Sequence, residues 1–152
     1  KMKKIDIYTD GSCLGNPGAG GWGAILRYKE NEKELSGGEI LTTNNRMELT
    51  AVIKALQCLK EKCDVTIHSD SKYFIDSIEK GWAKKWQQNG WMRTKKDEAL
   101  NSDLWKILLP LIEKHNVTLQ WIKGHNGHIE NERCDVLAVS QSKMFESKAV
   151  KL

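Results

Sequence analysis

The sequence predicts an α/β domain, a mixed sheet flanked by helices in the order βββαβααβα. Three observations carry this. Strand-like alternation of apolar and polar residues fills about the first 40 positions, helix-period runs then alternate with short strands, and no internal repeat or long linker divides the chain. Consecutive early strands read as antiparallel hairpins, whereas a strand–helix–strand unit crosses over right-handed and lays its strands parallel. With 152 residues the chain reads as one domain, with residues from about 146 onward as a loose tail. A domain of this size removes about 68–70% of its unfolded surface from water and needs no metal or disulfide staples.

Ile5, Ile7 and Thr9 alternate with Asp6, Tyr8 and Asp10, a strand that ends in a carboxylate. Six of the twelve glycines lie between Gly11 and Gly23, which predicts a tight, irregular turn before a second strand from Trp22 to Tyr28. Lys29-Glu30-Asn31-Glu32 is the expected hairpin turn, and a third strand runs from about Lys33 to Ile40. After Thr42-Thr43-Asn44-Asn45, the residues Met47, Ala51, Val52, Ala55, Leu56 and Leu59 repeat at helical spacing. Val65 and Ile67 mark a short strand ending at Ser69-Asp70, and Ser71 can cap a helix carrying Tyr73, Phe74 and Ile78. Leu104, Trp105, Ile107, Leu108, Leu111 and Ile112 mark another helix, opened by Asn101 or Ser102. Pro110 inside it removes one backbone donor, at about 3 kcal/mol, and predicts a kink. Val117, Leu119 and Trp121 alternate in a last strand, residues 124–128 form a loop, and a helix runs from Glu130 to about Phe145.

Charged residues at 29% and hydrophobic ones at 39% are the composition of a soluble globular protein, and exclude intrinsic disorder, collagen and membrane classes. The start Lys1-Met2-Lys3-Lys4-Ile5-Asp6 turns polar before a signal-peptide core can form, so a cytoplasmic protein is expected. Cys13, Cys58, Cys63 and Cys134 make no CxxC pair and no zinc spacing with the histidines, and read as reduced thiols. The net charge is +4, but residues 80–96 hold six cations and no acid, leaving the remainder at −2. Trp82, Trp86 and Trp91 are interleaved with those cations, the pattern of a nucleic-acid contact, although a solvated basic loop has the same composition.

Asp10 ends the first strand and Asp70 the fourth, which the crossover lays beside it, so two acids share one edge of the sheet. Ligands in open sheets bind beyond the carboxyl ends of strands. Glu48, placed in the first turn of the following helix, and Asp135, in the first or second turn of the last, can face the same edge. Four clustered carboxylates repel one another and are tolerable when some are protonated or when divalent cations neutralise them; an all-oxygen set favours Mg²⁺ or Mn²⁺. Each acid also has an ordinary role: Glu48 as the capping-box partner of Asn45, Asp10 and Asp70 as turn formers, Asp135 as a solvated helix residue. Asp10 resists that reading most, since Asp is depleted in strands. His125, among glycines ten residues before Asp135, is either an idle loop histidine or a group that swings over the site and moves protons near neutral pH.

Five separated motifs carry a resemblance: Tyr8-Thr9-Asp10-Gly11-Ser12-Cys13 with Gly15-Asn16-Pro17-Gly18, Thr42-Thr43-Asn44-Asn45-Arg46-Met47-Glu48-Leu49, Ser69-Asp70-Ser71, Gly124-His125, and Glu130-Asn131-Glu132-Arg133-Cys134-Asp135. In order and over nearly the whole chain they resemble type 1 ribonuclease H of the bacterial kind. The resemblance implies the ribonuclease H-like fold, a five-stranded mixed sheet with the first three strands antiparallel, flanked by helices. It also implies an endonuclease that hydrolyses the RNA strand of RNA–DNA hybrids without sequence preference. By position, Asp10, Glu48, Asp70 and Asp135 would hold two Mg²⁺ ions, or Mn²⁺, and His125 would be the mobile histidine. Products would carry 5′-phosphate and 3′-hydroxyl ends.

The same likeness places Cys13 and Asn16 on the RNA-contacting turn, Asn44 and Asn45 in the minor groove, and Thr43 and Asn101 in a pocket for a DNA phosphate. Trp82 would support the DNA strand, Lys84 and Lys85 would belong to a basic protrusion, and Lys72 stands near the site where a polar amide is common. Leu41 departs from a basic residue often found beside the phosphate pocket, and Gly81 looks like an insertion. A monomer with no membrane contact is expected. Lys60 and the basic tail at Lys143, Lys148 and Lys151 would suit the acidic tail of a single-stranded DNA-binding protein, with solvated lysines as the simpler account. Two other readings stay open: a DNA-cleaving or strand-transfer nuclease of the integrase and transposase kind, against which the Asn-rich surface argues, and a silent hybrid-binding module, against which the intact acids argue.

Overall fold

The alternation that opens at Ile5 forms β1 (Lys4–Leu14), with Ile5, Ile7 and Thr9 buried and Asp6 and Tyr8 half-buried. The computed structural model describes residues 1–124 and 128–150. The other strands are β2 (Gly18–Tyr28), β3 (Asn31–Thr42), β4 (Asp64–Ser69) and β5 (Asn116–Trp121), in one sheet of order β3-β2-β1-β4-β5. The first three strands pair antiparallel, and β4 runs parallel to both β1 and β5. This is the mixed sheet that the sequence pattern predicts. The hairpin turn between β2 and β3 is tighter than expected: Tyr28 already pairs with Asn31, and Lys29, at φ 55°, takes the left-handed conformation that so short a turn demands.

The helices are α1 (Asn44–Gln57), α2 (Lys72–Glu79), α3 (Trp82–Gln88), α4 (Ser102–Lys114) and α5 (Ile129–Val150), so the observed order is βββαβαααβα. The additional helix α3 lies in the basic, Trp-bearing stretch. Its apolar residues Ala83 and Trp86 turn inward while Lys84 and Lys85 stay exposed, a signal too short for periodicity to reveal. Nor is the chain from residue 146 a loose tail through Val150. Glu146, Lys148 and Ala149 are good helix formers, no Gly or Pro interrupts them, and Lys148 complements the helix dipole in the last turn. Pro110 lies inside α4 on its exposed side, where the acceptor it leaves unbonded can meet water.

The glycine-rich stretch narrows its turn to residues 15–17, with Gly15 at φ 75°, and the glycines on either side lie in strand. Gly20, Gly21 and Gly23 pair with Cys13, Ser12 and Asp10 along β1. Their role is close approach. A Cβ on Gly21 would stand 2.2 Å from the carbonyl oxygen of Ala138 in α5, so the helix backbone rests directly on the sheet. By the pleat, Trp22, Ala24 and Leu26 face the other way, into the main core with Ile7, Ile67, Leu49, Val52, Phe74 and Trp105. Helices α1 and α4 cover that face of the sheet and α5 the other.

His115 closes α4 from within this core. Its Nδ1 accepts the Cys63 backbone N–H at 3.0 Å, and its buried Nε2 has no hydrogen-bond partner among the described residues. Burial first, then the Lys114 charge, push its pKa down, so the ring is neutral in the native state. The unfolded chain therefore takes up the proton more readily, and stability falls as the pH drops below about 6.5. His115→Asn, whose Oδ1 can replace Nδ1 as acceptor, should lose less stability than the wild type between about pH 7.5 and 5.5. Urea midpoints at both pH values check this; equal losses would assign the titration elsewhere.

Candidate active site

The parallel register of β1 and β4 pairs Tyr8 with His68, and two further residues on each chain bring Asp10 beside Asp70. Asp70 is held in place by its neighbours on either side: Ser69 Oγ accepts the Ser71 N–H at 3.0 Å, and Ser71 Oγ caps α2 through the Phe74 N–H at 3.1 Å. The third acid comes from α1. Its N-cap is Thr43, whose Oγ1 accepts the Arg46 N–H at 3.2 Å, so Glu48 sits in the second turn and is not the capping-box partner of Asn45. Asn16 Oδ1 accepts the Asn44 N–H at 3.0 Å and ties the turn after β1 to the same helix end.

Gly11 lets α1 reach β1. A Cβ there would lie 2.5 Å from the Glu48 backbone nitrogen, and the Gly11 N–H donates to both Glu48 Oε1 and Asp10 Oδ1. One ligand oxygen from each of Asp10, Glu48 and Asp70 lies within 4.8 Å of the others, and Asp10 and Glu48 are each only 3% exposed. Burial above all, and then the nearby charge of Asp10, hold the Glu48 carboxyl well above the ordinary carboxylate range. Its Oε2 is buried and, among the described residues, meets no donor within hydrogen-bonding geometry. An all-oxygen set at this spacing, with a buried acceptor to spare, fits a hard divalent cation.

These acids floor a cleft of about 530 Å³. Asp135, half-buried in the second turn of α5, lines the cleft but stands outside the close group of three. Cys13, Asn44, Asn45 and Lys72 also line it. Cys13 Sγ donates to the Gly15 carbonyl at 2.9 Å, and burial raises its pKa. Lys72 extends over the Trp121 ring, 4.4 Å from its centroid. Thr43 and Asn101 lie apart from the cleft floor and meet through Arg46. Trp82 is 40% exposed at the start of α3, Lys85 is exposed, and Lys84 pairs with Glu113 at 2.9 Å. The basic stretch, acid-free in sequence, thus takes an acid from α4. His125 lies outside the described residues.

Residues 2–143 match the family model described as RNase H. The chain belongs to the RNase H family. It is 61% identical to the ribonuclease H of Desulforamulus reducens over 93% of this chain and 89% of that protein, and 54% identical to that of Syntrophus aciditrophicus over 97% and 86%. Among solved structures, LC9-RNase H1, a type 1 RNase H with the type 2 active-site motif, superposes with a TM-score of 0.84 at 31% identity, covering 95% of this chain and 74% of that one. LC11-RNase H1, solved in complex with an RNA/DNA hybrid, shares the fold at 23% identity and a TM-score of 0.70, over 92% of this chain and 97% of that one.

Sequence reasoning passes over three residues of the site. Gly11 is one glycine among many, and only the approach of α1 gives it a task. Tyr73 lines the cleft, and its hydroxyl accepts from Trp105 Nε1 at 2.9 Å and Asn101 Nδ2 at 3.1 Å. Arg46 has a legible signal, a cation in the first turn of a helix that carries no acid there. Gly11→Ala should push α1 from β1, lowering stability by about 1–3 kcal/mol and activity by more than that loss of folded protein explains. Denaturant melts beside turnover of the folded fraction would show it; a variant matching wild type in both would mean that the helix end yields freely.

Proposed function

We propose that this member of the RNase H family cuts the RNA strand of RNA–DNA hybrids internally at the Asp10, Glu48 and Asp70 group, leaving 5′-phosphate and 3′-hydroxyl ends. The observation that carries the reading is the burial of Asp10 and Glu48 within ligand distance of Asp70. Crowded, desolvated carboxylates are unfavourable unless neutralised, and two Mg²⁺ ions, or Mn²⁺, do that best for an all-oxygen set. Bound there, such cations supply charge neutralisation at the attacking and leaving oxygens of an in-line displacement.

The remaining roles fall to the chain itself. Asp135, on the cleft wall, completes the metal set, and His125 moves protons for the reaction. Glu48 and the turn carrying Cys13 and Asn16 read the 2′-hydroxyl, which both donates and accepts, so RNA is distinguished from DNA by its sugar. Asn44 and Asn45, at the open end of α1 and lining the cleft, reach base edges. Lys72 holds a phosphate near the acids, and Thr43 and Asn101 grip a DNA phosphate. Trp82 and the lysines of α3 support the DNA strand. Among the described residues no helix is long and apolar enough to cross a membrane; the reading extends to a cytoplasmic monomer.

A hybrid labelled on either strand tests the reaction. RNA should be cut only with divalent metal, while the DNA strand, duplex DNA and single-stranded RNA are spared. Asp10→Asn should abolish cleavage yet keep or raise the thermal midpoint in chelator, because it removes charge that opposes Glu48. Near-normal turnover by the folded variant would reject the metal-site assignment.

Salt dependence separates the contacts of α3. Lys85→Ala should raise KM and flatten its log–log salt dependence by about 0.9 units, the value for one phosphate contact. Lys84→Ala should change it less, since its ammonium is shared with Glu113. Trp82→Ala should weaken binding at nearly constant slope, because stacking releases no counterions. A Lys85→Ala series that overlays wild type would leave α3 as a solvated surface.

A further inference from the structure

Arg46 joins the two halves of the pocket assigned above to a DNA phosphate. Its backbone N–H donates to Thr43 Oγ1 at 3.2 Å, and its Nη1 donates to Asn101 Oδ1 at 3.4 Å. The guanidinium is itself fixed by a two-pronged pair with Asp103, Nη1 to Oδ1 at 2.9 Å and Nη2 to Oδ2 at 2.7 Å. A cation in the first turn of α1 opposes the helix dipole, whereas Asp103 in the first turn of α4 is favoured by it. The pair therefore places an acid where one is stabilised in order to hold a cation where one is not.

Donor counting shows what this arrangement accomplishes. Thr43 Oγ1 already accepts from Arg46, which leaves its O–H proton to be given elsewhere. Asn101 makes no side-chain cap to α4; its Oδ1 accepts from Arg46 and one Nδ2 hydrogen goes to Tyr73 Oη at 3.1 Å, so its second Nδ2 hydrogen remains. Both groups thus present donors, the polarity a phosphate oxygen needs. With the Arg46 contact gone, nothing from α1 would keep the Asn101 amide from turning its oxygen toward the anion.

We propose that the Arg46 side chain is a positioning group of the DNA-phosphate pocket: it occupies the acceptor of Asn101 so that the remaining amide hydrogen faces the phosphate, beside the Thr43 hydroxyl, whose acceptor is filled by the backbone N–H of position 46. The inference rests on reading Thr43 and Asn101 as that pocket. Arg46 acts here through its neighbours, and its own charge is neutralised by Asp103.

The test uses hybrids whose DNA strand carries one neutral methylphosphonate, moved along the strand, with wild type, Arg46→Met and Arg46→Lys. Wild type should show one position at which neutralisation raises KM by about 10-fold, the scale of a hydrogen bond to a charged group. Both variants should show part of that KM increase on the unmodified hybrid, with kcat within about twofold and a correspondingly reduced penalty at that position, since the backbone N–H of position 46 keeps the Thr43 hydroxyl as a donor. Arg46→Lys keeps the charge and can answer Asp103, but a lone ammonium lacks the planar fork that holds Asn101 and Asp103 together. It also guards against misfolding of the methionine variant. Recovery of wild-type KM and of the methylphosphonate penalty by Arg46→Lys would overturn the proposal in favour of simple charge. Retention of the full wild-type penalty in both variants would overturn it as well. A wild type that cuts the hybrid but feels no DNA position would refute the pocket itself and leave the hydrogen-bond geometry standing.

Discussion

Two carboxylates kept out of water beside a third set the terms for the rest of the molecule. A buried carboxylate loses its hydration, and a neighbouring one raises the cost again, so Glu48 is driven toward its protonated form unless positive charge arrives. Such an arrangement persists only where packing enforces it. The enforcement is visible in backbone contacts: the Gly11 N–H donates to Asp10 and Glu48 at once, and the absent Cβ at Gly11 lets the second turn of α1 settle on β1.

That single approach explains much of the architecture around it. Helix α1 buries residues along nearly its whole length, so its position is decided by the core and not by the acids. Its N-terminus is then pinned from two sides, by Asn16 from the turn after β1 and by Arg46 to the start of α4. On the opposite face, α5 rests on the glycines of β2 and carries Asp135 to the cleft wall. The fold thus uses apolar burial, which is non-directional, to bring groups together that would separate if left to their own interactions.

Legibility in the sequence tracks the range of each signal. Period-two alternation at Ile5 to Thr9 and the helical spacing of Met47 to Leu56 are local, and both elements form, although β1 runs past its expected end at Asp10 to Leu14. The same local logic places Asp10 and Asp70 at one sheet edge, because strand direction follows from the crossover. It fails where a residue answers to a distant partner. The glycines from Gly18 to Gly23 signal a turn in isolation, whereas they pair in strand and Gly21 and Gly23 leave room for the backbone of α5 across the sheet. Glu48 cannot be put in the second turn from sequence, since both Thr43 and Asn45 can cap; the choice falls to Thr43. Asp135 is grouped with the other acids from its place in an early turn of the last helix, and the close set of three forms without it. The basic stretch hides α3 and the Glu113 partner of Lys84, which lies 29 residues away.

One buried ring couples the parts of the surface that a duplex would touch. Trp105 is fully buried, stacks on Phe74 and meets Trp86 of α3 edge-on at 6.2 Å. Its Nε1 donates to Tyr73 Oη, which also receives Asn101 Nδ2, while Asn101 Oδ1 receives Arg46 of α1. Trp82 and Lys85 on α3, the Asn101 amide at the head of α4, and Tyr73 on the cleft wall are therefore placed by a continuous set of contacts through one side chain. On the proposed reading, a surface that met a duplex at three separated points would need its spacing fixed before binding, because each rotamer ordered on contact would cost about 0.5–1.5 kcal/mol of affinity. Aromatic packing at the centre supplies that rigidity, since an indole packed against other rings has few rotamers to lose. The polar contacts at the periphery then only have to orient the Asn101 amide, whose oxygen receives Arg46 and whose nitrogen donates to Tyr73 Oη.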